Sequence, residues 1–470
     1  MATTARPQTQ TPQTSRAAGM FRALSHRNFR LFLSGAFLSN TGTWMQSVGQ
    51  GWLVLQLTNS GAWLGFDNFM ATAPGVLLTL VGGVIADKVD RKRLLIYSQL
   101  GAGLSAFTLS ALLWTDTISW RGNVRRASDV WMILALTFVT GCCWAISGPS
   151  YQAITVDLVG REDIANAVAL HSSQFQLARV VGPLLAALTI QLFGLPGCFL
   201  ANGLSYVAIV FALSLVKFHR PGAAKMSVKG NEADGAKPAG DLEGDVAAGL
   251  KAGEALGAAA VTQAESAGAG RSMWAEFAEG IRYVRGRPRV RVILLCSTIV
   301  CLFGTPYMVL MPMFAKNVYG WDERGLSLLM GTAGAGALTG ALALAYMGDF
   351  RRKGLFLLGT LSGGGSCIVA FASVPRAWMA LPLLFCTGFS MVCFFALGST
   401  LLQQLVRDEM RGRVMSMWLL TFIGTMPVAS VLAGASADRF GPRPTLAACG
   451  AVILLFALAV ASRNPNLREI

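Results

Sequence analysis

The sequence predicts an all-α integral membrane protein of twelve transmembrane helices in two six-helix bundles. Three observations carry this reading. Charged residues are only 13% of the 470-residue chain and hydrophobic residues 53%, whereas a soluble domain carries about 25% charge. Twelve apolar segments recur along the chain, each long enough to cross a hydrocarbon core of about 30 Å as a helix. A long polar stretch divides them six and six.

Taken in order, residues 1–28 are polar and rich in Thr, Gln and Pro. They lack the apolar core of a secretory signal and are expected to form a disordered cytoplasmic tail. The N-terminal bundle occupies 29–217, with apolar segments at 30–57, 62–86, 92–115, 130–156, 164–193 and 196–217. Residues 218–272 are Ala/Gly-rich, mix charges and hold almost no large apolar residue. They cannot bury a core, so a flexible cytoplasmic linker is expected. Over 273–289, Trp274, Phe277, Ile281 and Val284 fall at spacings of three and four, the pattern of an amphipathic surface helix. The C-terminal bundle occupies 290–463, with segments at 290–315, 324–347, 354–374, 376–405, 413–436 and 443–462, and a tail follows at 464–470.

The formal charge is +15. On a soluble protein it would point to nucleic acid; here its placement matters more. Leaving out the twelve on the long connection between the bundles, 217–291, 18 Lys and Arg lie on loops on the side of the termini and eight on the other side. The positive-inside rule then puts both termini in the cytoplasm of a bacterial-type inner membrane, with no nucleic-acid partner. The loop WRGNVRR after the third segment runs against the trend. Nine cysteines show no CxxC or Cys/His ligand spacing, so no metal site and no disulfide framework is expected. No phosphate-binding GxxxxGK[ST], HExxH or GxSxG occurs, which argues against an enzyme, and no cofactor is called for.

The segment GGVIADKVDRKR, 82–93, resembles the signature of the major facilitator superfamily, Gly-x-x-x-Asp-Arg/Lys-x-Gly-x-Arg/Lys. Gly83, Asp87, Lys88, Arg91, Lys92 and Arg93 fit it; Asp90 stands where the family usually has Gly. A weak echo occurs at 348–353, GDFRRK. GASADRFGPR, 434–443, matches the same pattern but falls on the predicted outer side, where it reads as a helix-end turn. The segments 148–183 and 411–418 are similar to the enterobactin-exporter and macrolide-efflux branch. That resemblance implies the major facilitator fold, alternating access, and export of a small molecule in exchange for protons by a chain working as a monomer in the bilayer. An inner gate is expected from Gly83, Asp87, Lys88 and Arg91 against Asp408 and Arg411 in the outward-facing state. The antiporter pattern of helix five survives literally only at Gly182 and Pro183, with alanine at 169, 178, 186 and 187, and the family's helix-four arginine is missing.

Polar residues inside apolar helices mark the candidate cavity. Arg179 lies in mid-helix, where a charge costs about 2.5–3.5 kcal/mol on insertion scales. With Ser172, Gln176 and Pro183 it forms one face. It is either a substrate or gating contact, or a structural ion pair. Asn40, Thr43, Ser47 and Gln50 share a face of the first helix, and Thr140, Trp144, Ser147 and Tyr151 one of the fourth. Both faces either line the cavity or bond neighbouring helices. Asp67 and His171 are candidate coupling groups. The leading expectation is a secondary active exporter of a small amphiphilic compound, a siderophore or a drug-like molecule. The alternatives are an uptake symporter or lipid flippase of the same fold, and a non-transporting membrane sensor or scaffold.

Overall fold

In the computed structural model of the protein, residues 22–120, 127–159, 163–216, 273–348 and 350–464 are described. Among them there is helix and no strand. The expected N-terminal tail, up to residue 21, and the linker lie outside the described residues, as do the side chains at 79–88.

The N-terminal bundle consists of α1 (Arg27–Thr58), α2 (Gly61–Lys88), α3 (Arg91–Trp114), α4 (Ala127–Asp157) and α5 (Ile164–Leu215). The last holds two passes. Gly194, with φ 70° and ψ −177°, breaks it, and Pro196 follows. A left-handed φ suits glycine, so the chain reverses here without a separate loop.

After α6 (Met273–Arg285) comes α7 (Pro288–Gly304). The expected continuous segment 290–315 is interrupted: short turns Pro306–Val309, Met311–Met313 and Phe314–Val318 complete the pass. Pro306 and Pro312 lack the N–H that an unbroken ladder needs. Then follow α8 (Glu323–Met347), α9 (Lys353–Ser373) and α10 (Ala377–Leu405). The eleventh pass is also interrupted, into α11 (Asp408–Ile423) and α12 (Met426–Phe440), with Pro427 in the first turn of α12. The final helix is α13 (Pro442–Arg463). The fold is the expected twelve-pass arrangement.

The passes run alternately between two faces. One face carries the first turn of α1, Arg91, Lys353, Asp408 and the end of α13; we call it the basic face. Within the N-terminal bundle α1 packs on α5, α2 on α4, and α3 on α4 and α5; within the other, α8 packs on α10, and α9 on α10 and α13. The two most extensive pairings between the bundles are α2 with α12 and α5 with α8. The amphipathic α6 packs against α11 and α7. Arg413 Nη1 lies 2.8 Å from Glu279 Oε1, and Val284 is buried. The side chains of Trp274 and Phe277 lie outside the described residues.

Candidate functional site

The two bundles meet along a seam. On the face opposite the basic one, α2 and α12 touch backbone to backbone. A Cβ added at Gly434 would collide with the Gly61 carbonyl, and one at Gly65 with that of Ser430. Only glycine permits this approach. Asp438, near the end of α12, then reaches across the seam. Its carboxylate accepts from the Ser60 hydroxyl, the Gly61 N–H and, at 3.0 Å, the Ala62 N–H. The two N–H groups are orphan donors at the N-terminus of α2, and a carboxylate also complements the dipole there. The motif at 434–443 is therefore more than the helix-end turn expected of it, since its acidic residue caps a helix of the other bundle.

At mid-depth α5 carries Arg179 against the interrupted seventh pass. Arg179 Nη2 donates to Tyr307 Oη at 3.2 Å and lies 3.2 Å from Met308 Sδ. Its Cζ sits 5.3 Å from the centroid of the Trp44 ring on α1. Gly182 lets α5 press on α1, since a Cβ there would stand 2.5 Å from Trp44 Cβ. Gly334 lets α8 approach the Arg179 carbonyl. Among the described residues no carboxylate pairs with Arg179. Its Nε is buried without a protein partner, as are Gln176 Oε1, Gln174 Nε2 and Thr41 Oγ1. All four belong to α1 and α5.

A second polar cluster lies inside the N-terminal bundle. Gln50 Nε2 lies 2.8 and 3.0 Å from the two Asp67 oxygens and 2.7 Å from Thr137 Oγ1. The Thr137 hydroxyl is 3.0 Å from Asp67 Oδ1. Behind Gln50 the amides line up: Asn202 Nδ2 donates to Gln46 at 2.6 Å, and Gln46 Nε2 to Gln50 at 3.2 Å. Three passes thus direct donors toward one carboxylate on a fourth.

The expected cavity faces divide. On α1, Asn40 donates to Gln174 at 3.4 Å and Thr43 lies 3.3 Å from Tyr206 Oη, while Ser47 is exposed and Gln50 is buried. On α4, Thr140 and Ser147 bond backbone carbonyls, and Trp144 Nε1 lies 3.5 Å from Tyr206 Oη. The Tyr151 ring packs between Phe32 and His171, with centroids at 5.2 and 5.4 Å. His171 also stacks on Phe32 at 6.1 Å, with its rings 7° from parallel. Ser172 is half-buried on α5.

On the basic face the expected gate residues have local partners. Arg91 Nη1 lies 3.3 Å from Asp157 Oδ2, and Arg411 pairs with Asp408 one turn away. The side chains of Gly83, Asp87 and Lys88 lie outside the described residues. Asp90, the departure from the family pattern, is the N-cap of α3, accepting from Lys92 N at 2.9 Å and Arg93 N at 3.2 Å. Lys92 Nζ in turn donates to Ser214 O and Val216 O at the end of α5, at 3.2 and 2.8 Å.

Sequence reasoning missed Tyr307, Met308, Trp44, Tyr206 and the cross-seam role of Asp438. Only Asp438 had left a signal, the repeated signature.

Residues 18–231 and 256–470 match the family described as transmembrane secretion effector. The staphyloferrin A transporter of Staphylococcus aureus is 24% identical, over 88% of this chain and 90% of its own. Macrolide efflux protein A of Streptococcus pyogenes is 20% identical over 87% of this chain and 86% of its own. The chain also superposes on the crystal structure of a bacterial homolog to the human lysosomal transporter Spinster, inward-facing and unoccupied. The TM-score is 0.63 at 14% identity, covering 94% of this chain and 98% of that one, a likeness of fold.

Proposed function

The chain belongs to the transmembrane secretion effectors of the major facilitator superfamily and is a multi-pass membrane transporter; from that premise we propose that it is a secondary active exporter of a small amphiphilic compound, a siderophore or a drug-like molecule, exchanged for protons by alternating access. The observation that carries the reading is the seam. A polar centre built by both bundles around Arg179 lies beside a closure of the seam on the face opposite the basic one, made by Asp438 and α2.

The excess of basic loops makes the basic face cytoplasmic. The described conformation is then closed to the outside, and cargo loads from within the cell. Asp67 is the proton carrier: it is the carboxylate on which the amides of Gln50, Gln46 and Asn202 converge. His171 is occupied by aromatic packing and serves structure. Since one chain supplies both sides of the seam, a monomer is a complete transporter. The relatives named for staphyloferrin A and for macrolide efflux support movement of an amphiphilic compound.

The test compares a deletion strain with its parent for secretion of siderophores and tolerance of a panel of amphiphilic toxins. Reconstituted protein then transports any compound so found under an imposed pH gradient of either sign. Lower secretion or tolerance in the deletion strain, with flux whose direction follows the gradient, is expected. Flux indifferent to the gradient would remove the proton; accumulation by the parent strain would reverse the direction.

A further inference from the structure

Arg179 is a cation placed at the centre of a transporter, and among the described residues no carboxylate pairs with it. The carboxylate of Asp67, in the second turn of α2, is taken up by Gln50 and Thr137. The partners that Arg179 does have are all uncharged: a tyrosine hydroxyl, a thioether and an indole face. A guanidinium carries five donors. Here one nitrogen, Nη2, makes both of the side-chain contacts, and buried Nε has no partner among the described residues. Arg179 as a whole is only half-buried, but a structural charge drawn this far out of water is ordinarily paired. This one is held in a bonding geometry that leaves its strongest interaction unmade.

We infer that Arg179 anchors a carboxylate, or an oxyanion of similar shape, on the transported amphiphile, with Trp44 and Tyr307 flanking the ligand's apolar part. This rests on the transporter reading and adds the charge of the cargo: the site selects anions and rejects the amine cations that many drug-like amphiphiles carry. The guanidinium fork matches a carboxylate bidentately, and such a charge-assisted pair is about twice as strong as a neutral hydrogen bond. It therefore outcompetes Tyr307 and Met308 for Nη2. Both of those residues belong to the other bundle, so an arriving anion also releases a tie across the seam. Binding and bundle separation become one event, which is what an exchanger requires of its cargo.

The experiment is equilibrium binding to the full-length protein in phosphatidylcholine nanodiscs. The probes are a matched pair, pyrenebutyrate and pyrenebutyl-trimethylammonium, alike in their apolar part and opposite in charge. The wild type should bind the anion saturably and in preference to the cation. Arg179→Gln should weaken the anion by about tenfold or more while cation binding holds or improves, which also reports that the variant is folded. Arg179→Lys keeps the charge without the fork and should fall between the two. It decides the matter if the glutamine variant does not fold.

Repeating the titration in phosphatidylglycerol nanodiscs separates the two sources of an oxyanion. Competition that depends on Arg179 assigns the site to a lipid headgroup, and its absence assigns it to a free amphiphile. Preference of the wild type for the cation, no saturable anion binding, or anion affinity unchanged in both variants overturns the inference. Because the assay needs no flux, it fails independently of the export reading. A protein that binds the anion yet transports nothing refutes only the latter.

Discussion

A single carboxylate shows how much chemistry one residue can concentrate. Asp67 is approached by Gln50 and Thr137, with Gln46 and Asn202 behind. Asp67→Asn keeps hydrogen-bonding capacity but abolishes titration. If Asp67 carries the proton, flux driven by a pH gradient should fall by about tenfold or more, each 1.36 kcal/mol being a factor of ten. Substrate–substrate counterflow should persist. Loss of both together would assign Asp67 to cargo binding or folding instead. At Asp90 the prediction concerns stability. The side chain caps α3, so Asp90→Ala should cost about 1 kcal/mol, whereas Asp90→Gly, the residue usual in the family, should cost only about a few tenths. Thermal unfolding in detergent orders the two variants; equal losses would mean that the cap contributes nothing.

Among elements, the contact of α2 with α12 depends on absent side chains. Gly434→Val puts atoms where the Gly61 carbonyl lies. The two helices must then separate by roughly a methyl group's width. A cysteine introduced at Ser60, in a background without the nine native thiols, should react faster with a membrane-impermeant reagent when Gly434 is valine. An unchanged rate would show that this contact does not close the seam. The elements also show what the sequence makes legible. Helix count and the Gly194 reversal follow from hydropathy and from Gly and Pro. Arg179 and Asp67 stand out because charge is rare in apolar runs. Tyr307 and Trp44 do not stand out, since an aromatic residue in an apolar helix has the same local signature whether it packs or faces a site. The breaks in the seventh and eleventh passes were hidden because hydropathy continues through them. Asp438 was visible, but its partner is 377 residues away in sequence, and no local pattern reports a contact of that span.

For the whole molecule, the signature occurs at 82–93 and again at 434–443, on opposite faces. On one, Asp438 caps α2, which begins the second pass. If the other works alike, Asp87 caps α11, which begins the eleventh pass at Asp408, whenever the seam closes on the basic face. Removing either cap should cost about 1 kcal/mol in one state only, a shift of about fivefold in the ratio of states. Asp438→Ala and Asp87→Ala should therefore move the conformational equilibrium in opposite directions. Spin-label distances across each face measure this; shifts of the same sign would dissolve the paired-gate reading. The Asp438 latch also has a genetic consequence. Two of its three donors are peptide N–H groups at 61 and 62, which every residue but proline supplies. Selection for altered gating should recover changes at 438 itself and at the glycines of the contact. It should rarely recover changes at 62, and those at 61 should act through the helix contact, where a Cβ would meet the Gly434 carbonyl, and not through the latch.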